Sequence, residues 1–148
     1  NFEDISWLRT VWDGPIIIKG VQSVSDAEKL ADIGVQGIVL SNHGGRQLDK
    51  GPVMIELLPK VAEKVGGRLD IYVDGGFMTG QDVVAAIAFG AKAVLIGRAY
   101  LYGIMADGQK GVEKVVEILQ AEISNTMALM GISKISEINS SHAKLRNN

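Results

Sequence analysis

"GIVLSNHGGRQLD", residues 37–49, changes character halfway along. Gly37 to Leu40 is apolar and lacks the polar–apolar alternation of a strand with one face in water. It reads as a strand buried on both faces, as in a parallel sheet. From Ser41 the chain is polar, with one of the molecule's 2 histidines, a glycine pair, an arginine and an aspartate. Histidine titrates near neutrality, and a guanidinium can grip a carboxylate through two parallel hydrogen bonds. His43 is therefore a candidate base and Arg46 a candidate anion clamp. Asp49 could orient Arg46 or cap the next helix. A lone histidine in a glycine loop is more often structural than catalytic, so its neighbours decide its meaning.

Three further runs resemble Gly37–Ser41: "PIIIK" at 15–19, "IYVDG" at 71–75 and "AVLIG" at 93–97. None alternates, so each also reads as a strand buried on both faces. Helical patterns lie between and around them. The chain opens on "NFEDISWL" with Asp4 as an expected N-cap. "SVSDAEKLADIG" suggests a capping box of Ser25 and Glu28 and a stop at Gly34. "PVMIELLPKVAEKVGG" places Ile55, Leu58, Val61, Ala62 and Val65 on one face, and Pro59 is expected to kink or divide it. "TGQDVVAAIAFGA" stops at Gly90. A short helical pattern, "RAYLYG", opens at Arg98, and a last amphipathic helix runs through 111–131.

Strand and helix thus alternate four times, which specifies α/β architecture with parallel strands and right-handed crossovers. An open doubly wound sheet and half of a (β/α)8 barrel both satisfy the pattern. Either way, the polar stretches follow the carboxyl ends of the strands, where both architectures bind ligands. One such edge carries Asp74-Gly75-Gly76, and another Gly97-Arg98. Glycines allow backbone N–H groups close to an anion, and a helix N-terminus adds its dipole. The plain reading is tight βα turns; the two signals together favour a phosphate, with Arg98 as a donor fork. Lys19 ends a buried strand. Alone it reads as a snorkelling or ion-paired residue, and beside a phosphate-bearing cofactor as a cation facing the cofactor ring.

The 148 residues suit one domain, and 47% are apolar. A formal charge of −2 offers no nucleic-acid footprint. With no cysteine, thiolate metal sites and disulfides drop out, no metal is expected, and a reducing, cytoplasmic setting is compatible. The polar tail after Gly131 reads as a surface strap, with His142 a solvated histidine. The start at Asn1, without methionine, raises the expectation of a fragment.

"IIIKG", "GVQGIVLSNHGGRQLD", "DGG", "TGQDV" and "GAKAVLIGRAYLYG" together resemble the FMN-dependent 2-hydroxy acid oxidases and dehydrogenases, which include glycolate oxidase, lactate oxidase, L-lactate dehydrogenase and mandelate dehydrogenase. The resemblance covers about Trp7 to Gly131, and "SNHGGRQLD" is its most specific part. It implies the C-terminal half of a TIM barrel, strands five to eight, with 1–131 as an FMN-binding half-barrel and 132–148 as a tail. Asn1 would fall soon after a mobile segment that follows strand four, so a truncated or nicked piece is expected, partnered by the missing N-terminal half-barrel.

The resemblance also implies roles. His43 would contact the substrate as catalytic base, and Arg46 would bind the substrate carboxylate. Lys19 would face flavin N1 and the C2 carbonyl, Ser41 the flavin or its ribityl chain, and Asp74 the ribityl hydroxyls. Gly75, Gly76, Gly97 and Arg98 would hold the phosphate. The implied activity is oxidation of an L-2-hydroxy acid, lactate- or glycolate-like, with FMN as two-electron acceptor. Oxygen, a quinone or a cytochrome would reoxidise the flavin, in a homo-oligomer (a tetramer in many family members). One departure stands out. The family usually reads hydrophobic-Arg-Arg-Gly after DGG; here Phe77-Met78-Thr79-Gly80 follows. The loss of a charge-assisted contact is worth about 1.5–3 kcal/mol unless another cation compensates. Related phosphate-binding barrels, such as an FMN-dependent isomerase or a nucleotide dehydrogenase, share DGG and GR without needing the His43/Arg46 pair. A non-catalytic half-barrel would instead self-associate through its open edges.

Overall fold

The computed structural model describes residues 1–146. The last two residues of the 132–148 tail lie outside the described residues. Helix α1 (Phe2–Val11) leads into β1 (Ile17–Val21), α2 (Val24–Ile33), β2 (Gly37–Leu40), α3 (Met54–Val65), β3 (Asp70–Val73), α4 (Gly80–Ala88), β4 (Ala93–Val94) and α5 (Arg98–Leu129). All three strand pairings are parallel, in the order β1-β2-β3-β4. That order decides between the two architectures. A doubly wound sheet reverses its strand order once and so puts helices on both faces. Sequential order with crossovers of one hand puts every helix on one face. The chain is an α/β half-barrel.

Register sorts the two faces. Ile18 pairs with Ile38, and Ile38 with Ile71; Val21 pairs with Leu40, Leu40 with Val73, and Val73 with Val94. These rows face the helices and form the core with Leu30, Leu58, Val61 and Val65. The alternate row, Lys19–Val39–Tyr72–Ala93, faces the other way. Burial on both faces holds for β2, all of whose residues are buried, but not for β1, where Ile17 is 51% exposed. The reason is position: β1 and β4 are edges, and no helix covers the inner face.

Several local readings need correction. Asn1, not Asp4, caps α1; Asp4 is the third helical residue and completes the capping box. Ser23, not Ser25, caps α2, its Oγ accepting from the Asp26 N–H at 3.1 Å. Gly34 ends α2 in the left-handed region as expected. Pro59 lies within α3 without dividing it. The two helical patterns at 98–103 and 111–131 belong to α5, which is broken at Asp107 and Gly108, where the backbone leaves helical angles. The limbs before and after the break cross at two glycines. A Cβ on Gly103 would lie 2.6 Å from the carbonyl oxygen of Gly111, so neither position has room for a side chain. The tail straps back over the fold: Ile132 and Ile138 join Val84 and Met127 in a small satellite core. His142 caps the strap locally, its Nδ1 accepting from the Asn139 N–H at 3.0 Å.

A one-sided core has a measurable signature. Ile38→Ala, at a fully buried position, is expected to cost about 2–5 kcal/mol. Ile17→Ala, on the neighbouring strand but the open face, should cost less than about 1 kcal/mol. Urea unfolding midpoints compare the two. Equal losses would mean that the inner face is packed as tightly as the outer one.

Candidate functional site

All four strands run the same way, so their carboxyl ends share one edge, and the chain leaving each end carries polar residues. They surround a cleft of about 490 Å³. Lys19 comes from β1, His43 and Arg46 from the loop after β2, Asp74, Gly75 and Gly76 from the end of β3, and Gly97 and Arg98 from the start of α5. Eight of the nine residues given a cofactor- or substrate-binding role in the sequence therefore line one concavity. The ninth, Ser41, lies just beneath its wall and is buried. Its Oγ accepts from Lys19 Nζ at 2.9 Å and from the His43 N–H at 3.1 Å.

Lys19 Nζ also pairs with Asp74 Oδ2. One ammonium thus bridges the tips of β1, β2 and β3. The other oxygen of Asp74, Oδ1, is buried without a hydrogen-bond partner. A buried acceptor without a donor is costly, and here it borders the cleft.

The loop after β2 has an unusual backbone. His43, Gly44 and Gly45 have φ of 58°, 67° and 74°. Three successive left-handed residues make one turn of the wrong hand for L-amino acids, at a cost of about 1–2 kcal/mol for each residue with a Cβ. Glycine escapes that cost at 44 and 45; His43 does not. The Gly45 N–H donates to the Asn42 carbonyl at 3.0 Å, and the Arg46 N–H to the His43 carbonyl at 3.4 Å. With three residues per turn, positions i and i+3 lie one above the other. His43 and Arg46 accordingly both reach the cleft. Asp49 takes neither suggested part. Among the described residues it forms no ion pair with Arg46, and the N-cap of α3 is Val53, with no side-chain cap.

The two helix N-termini near the cleft differ. That of α4 is already satisfied. Thr79 Oγ1 accepts from the Asp82 N–H, the Asp82 carboxylate from the Met78 and Thr79 N–H groups, and Glu122 Oε2 from the Gly80 N–H at 2.6 Å. Two carboxylates there repel an anion. The N-terminus of α5 has no side-chain cap and carries Arg98 as its first residue. Its first-turn donors are available to an anion. Three cationic side chains (Lys19, Arg46 and Arg98) and one carboxylate, Asp74, line the cleft.

Sequence reading missed most of the apolar wall: Phe77, Leu95, Ile96, Tyr100 and Leu101. Their only signal is adjacency to DGG and GR. Met78, the departure noted above, also lines the cleft and is exposed. On the opposite edge, Lys92 Nζ lies 2.6 Å from Asp70 Oδ2. The hydrogen bond to Asp70 raises the Lys92 pKa above its ordinary value. This is an exposed surface pair. Among the described residues no group of three metal-ligating side chains occurs.

A flavin mononucleotide suits this chemistry. The orphaned Asp74 Oδ1 needs a hydroxyl donor, the uncapped α5 N-terminus and Arg98 need an anion, and the apolar wall suits a ring system.

Comparison with known proteins bears on the same point. The (S)-2-hydroxyacid oxidase GLO3 of Arabidopsis thaliana peroxisomes is 46% identical over 147 residues, covering 99% of this chain and 40% of that protein. The pre-mycofactocin synthase of Mycolicibacterium smegmatis is 50% identical over 138 residues, covering 93% of this chain and 35% of that protein. The crystal structure of the monotopic membrane protein (S)-mandelate dehydrogenase superposes with a TM-score of 0.92 at 40% identity, covering 97% of this chain and 38% of that one. The chain thus spans well under half the length of these relatives. The sequence pattern of FMN-dependent dehydrogenase matches residues 1–145. With the cleft's geometry, that match places the chain in the FMN-dependent dehydrogenase family.

Proposed function

We propose that this chain is the cofactor-binding half of an enzyme that oxidises an L-2-hydroxy acid, lactate- or glycolate-like, to the 2-oxo acid. The observation carrying this reading is the convergence of His43, Arg46, Lys19 and Arg98 on one cleft. A pre-mycofactocin synthase among the relatives means that family membership does not choose the substrate. The His43/Arg46 pair favours a 2-hydroxy acid, because it combines a proton acceptor with a carboxylate clamp.

FMN, when bound, supplies the two-electron acceptor. Arg98, Gly97 and the free donors of α5 would hold its phosphate, Asp74 its ribityl hydroxyls, and Lys19 the electron-rich edge of its ring. Arg46 binds the substrate carboxylate through two parallel hydrogen bonds, fixing which face of the substrate meets the cleft. Oxidation removes two electrons and two protons from the substrate; the His43 imidazole would accept the hydroxyl proton, and the two electrons with the second proton would pass to FMN when bound. Lys19, held by Ser41 and Asp74, keeps a positive charge where negative charge accumulates. The reading extends to a cytoplasmic homo-oligomer, closed by an N-terminal half-barrel and reoxidised by oxygen, a quinone or a cytochrome. Fractionation, sedimentation and acceptor assays of the full-length protein test those parts.

In the full-length protein, His43→Ala should slow flavin reduction by roughly 10²–10⁴-fold while FMN stays bound. Stopped-flow bleaching of the flavin measures it, and an unaltered rate would remove His43 as base. Arg46→Lys replaces a planar fork by a point charge. It should raise the substrate concentration needed for half-maximal reduction by about tenfold or more; ordinary saturation would count against a carboxylate clamp. Met78→Arg adds a cation on the cleft wall and should tighten FMN by roughly 10- to 100-fold, the equivalent of one charge-assisted contact. Fluorescence titration that finds looser binding would mean that Arg98 and α5 already satisfy the phosphate.

A further inference from the structure

The left-handed turn that carries His43 is strained, yet it starts directly after a buried strand and ends in an exposed loop. Something must hold it. Ser41 holds its first N–H, but Ser41 is also committed to Lys19. The remaining restraint comes from Asn42. Its Oδ1 accepts from the Gly44 N–H at 3.0 Å, and its Nδ2 donates to the Pro52 carbonyl at 3.2 Å, across the base of the loop. The same Oδ1 packs against the β3 turn: a Cβ placed on Gly75 would lie only 3.0 Å from it. One half-buried amide therefore ties together the start of the turn, the end of its loop and the neighbouring strand tip. Its own backbone sits at φ −95°, ψ 18°, the sparsely populated bridge region found in tight turns and at many active sites.

We propose that Asn42 is a positioning residue: its side chain keeps residue 43 left-handed, and so aims the imidazole into the cleft. This rests on the reading of His43 as the base, but the two fail separately. Only an amide meets all three demands. Aspartate keeps the acceptor for Gly44 and loses the donor to Pro52. Alanine loses both. Glycine at position 43 removes the need for restraint, since it adopts positive φ without penalty.

Amide exchange and backbone chemical shifts of the 148-residue chain, measured by NMR, provide the test. The reporter is the Gly45 N–H, because its acceptor is the carbonyl of residue 42 and survives any substitution of that side chain. Asn42→Ala should speed Gly45 exchange by about tenfold or more and move the His43 three-bond HN–Hα coupling toward its extended-chain value. Asn42→Asp should restore most of the protection. In a His43→Gly background, Asn42→Ala should change Gly45 exchange by less than about threefold. In the full-length enzyme, Asn42→Ala should slow flavin reduction by about 10²-fold, as a misplacement near 1 Å does, with Asn42→Asp partly rescuing it. Unchanged Gly45 exchange and His43 coupling in Asn42→Ala would overturn the proposal, whatever His43 does in catalysis. An equal loss of protection with glycine at 43 would also overturn it, since the amide would then hold the loop and not the strained histidine. A normal reduction rate in His43→Ala would instead sink the base assignment and leave the NMR result standing.

Discussion

Parallel pairing in sequential order is the constraint from which the site follows. Once β1 to β4 lie side by side in chain order, every strand must finish on the same edge and every helix must return along one face. The contacts that join one strand tip to the next are all distant in sequence. Lys19, Ser41 and Asp74 are 22 and 33 residues apart along the chain, yet one ammonium reaches both oxygen atoms. Strand register does this, because it sets the tips of β1, β2 and β3 level.

The electrostatics of the cleft run against those of the chain. The whole sequence carries a formal charge of −2, while three cations and one carboxylate face the cleft. Acidic groups near it are directed elsewhere: Asp82 and Glu122 are spent on the N-terminus of α4. The result is one helix start closed to anions and another, at Arg98, left open. Local hydrogen bonding thus selects where a phosphate can sit, and the helix dipole alone would not have distinguished the two.

The turn at 43–45 adds a second kind of preorganisation. Left-handed backbone at a histidine is held by neighbouring side chains and is not an intrinsic preference. The gain is directional. Three residues per turn put His43 and Arg46 on the same side, an imidazole and a guanidinium facing one volume.

Much of this was legible in the residues themselves. Unalternating apolar runs marked the strands because a parallel strand in a sheet centre meets apolar partners on both faces, as β2 does. Glycine at 34 marked a helix end because the backbone there is left-handed. "SNHGGRQLD" marked the cleft because it follows a strand and so brings a histidine and an arginine to the shared carboxyl edge. What the sequence could not decide has one common cause, dependence on chain far away. Ser23 and Ser25 are equally good caps by local pattern, and the folded chain uses Ser23, whose Oγ accepts from the Asp26 N–H. "RAYLYG" and the helix after it merge into α5, broken only at Asp107 and Gly108, because Gly103 and Gly111 let the two limbs touch. Asn42 looked like one more loop residue until Pro52 and Gly75 were seen on either side of it. Composition and pattern, then, determined the element types and the chemical groups, since those follow from periodicity and functional-group identity. Tertiary structure alone decided which strands are edges, which helix start is open and which amide restrains the histidine, because each depends on distances between segments that no local pattern encodes.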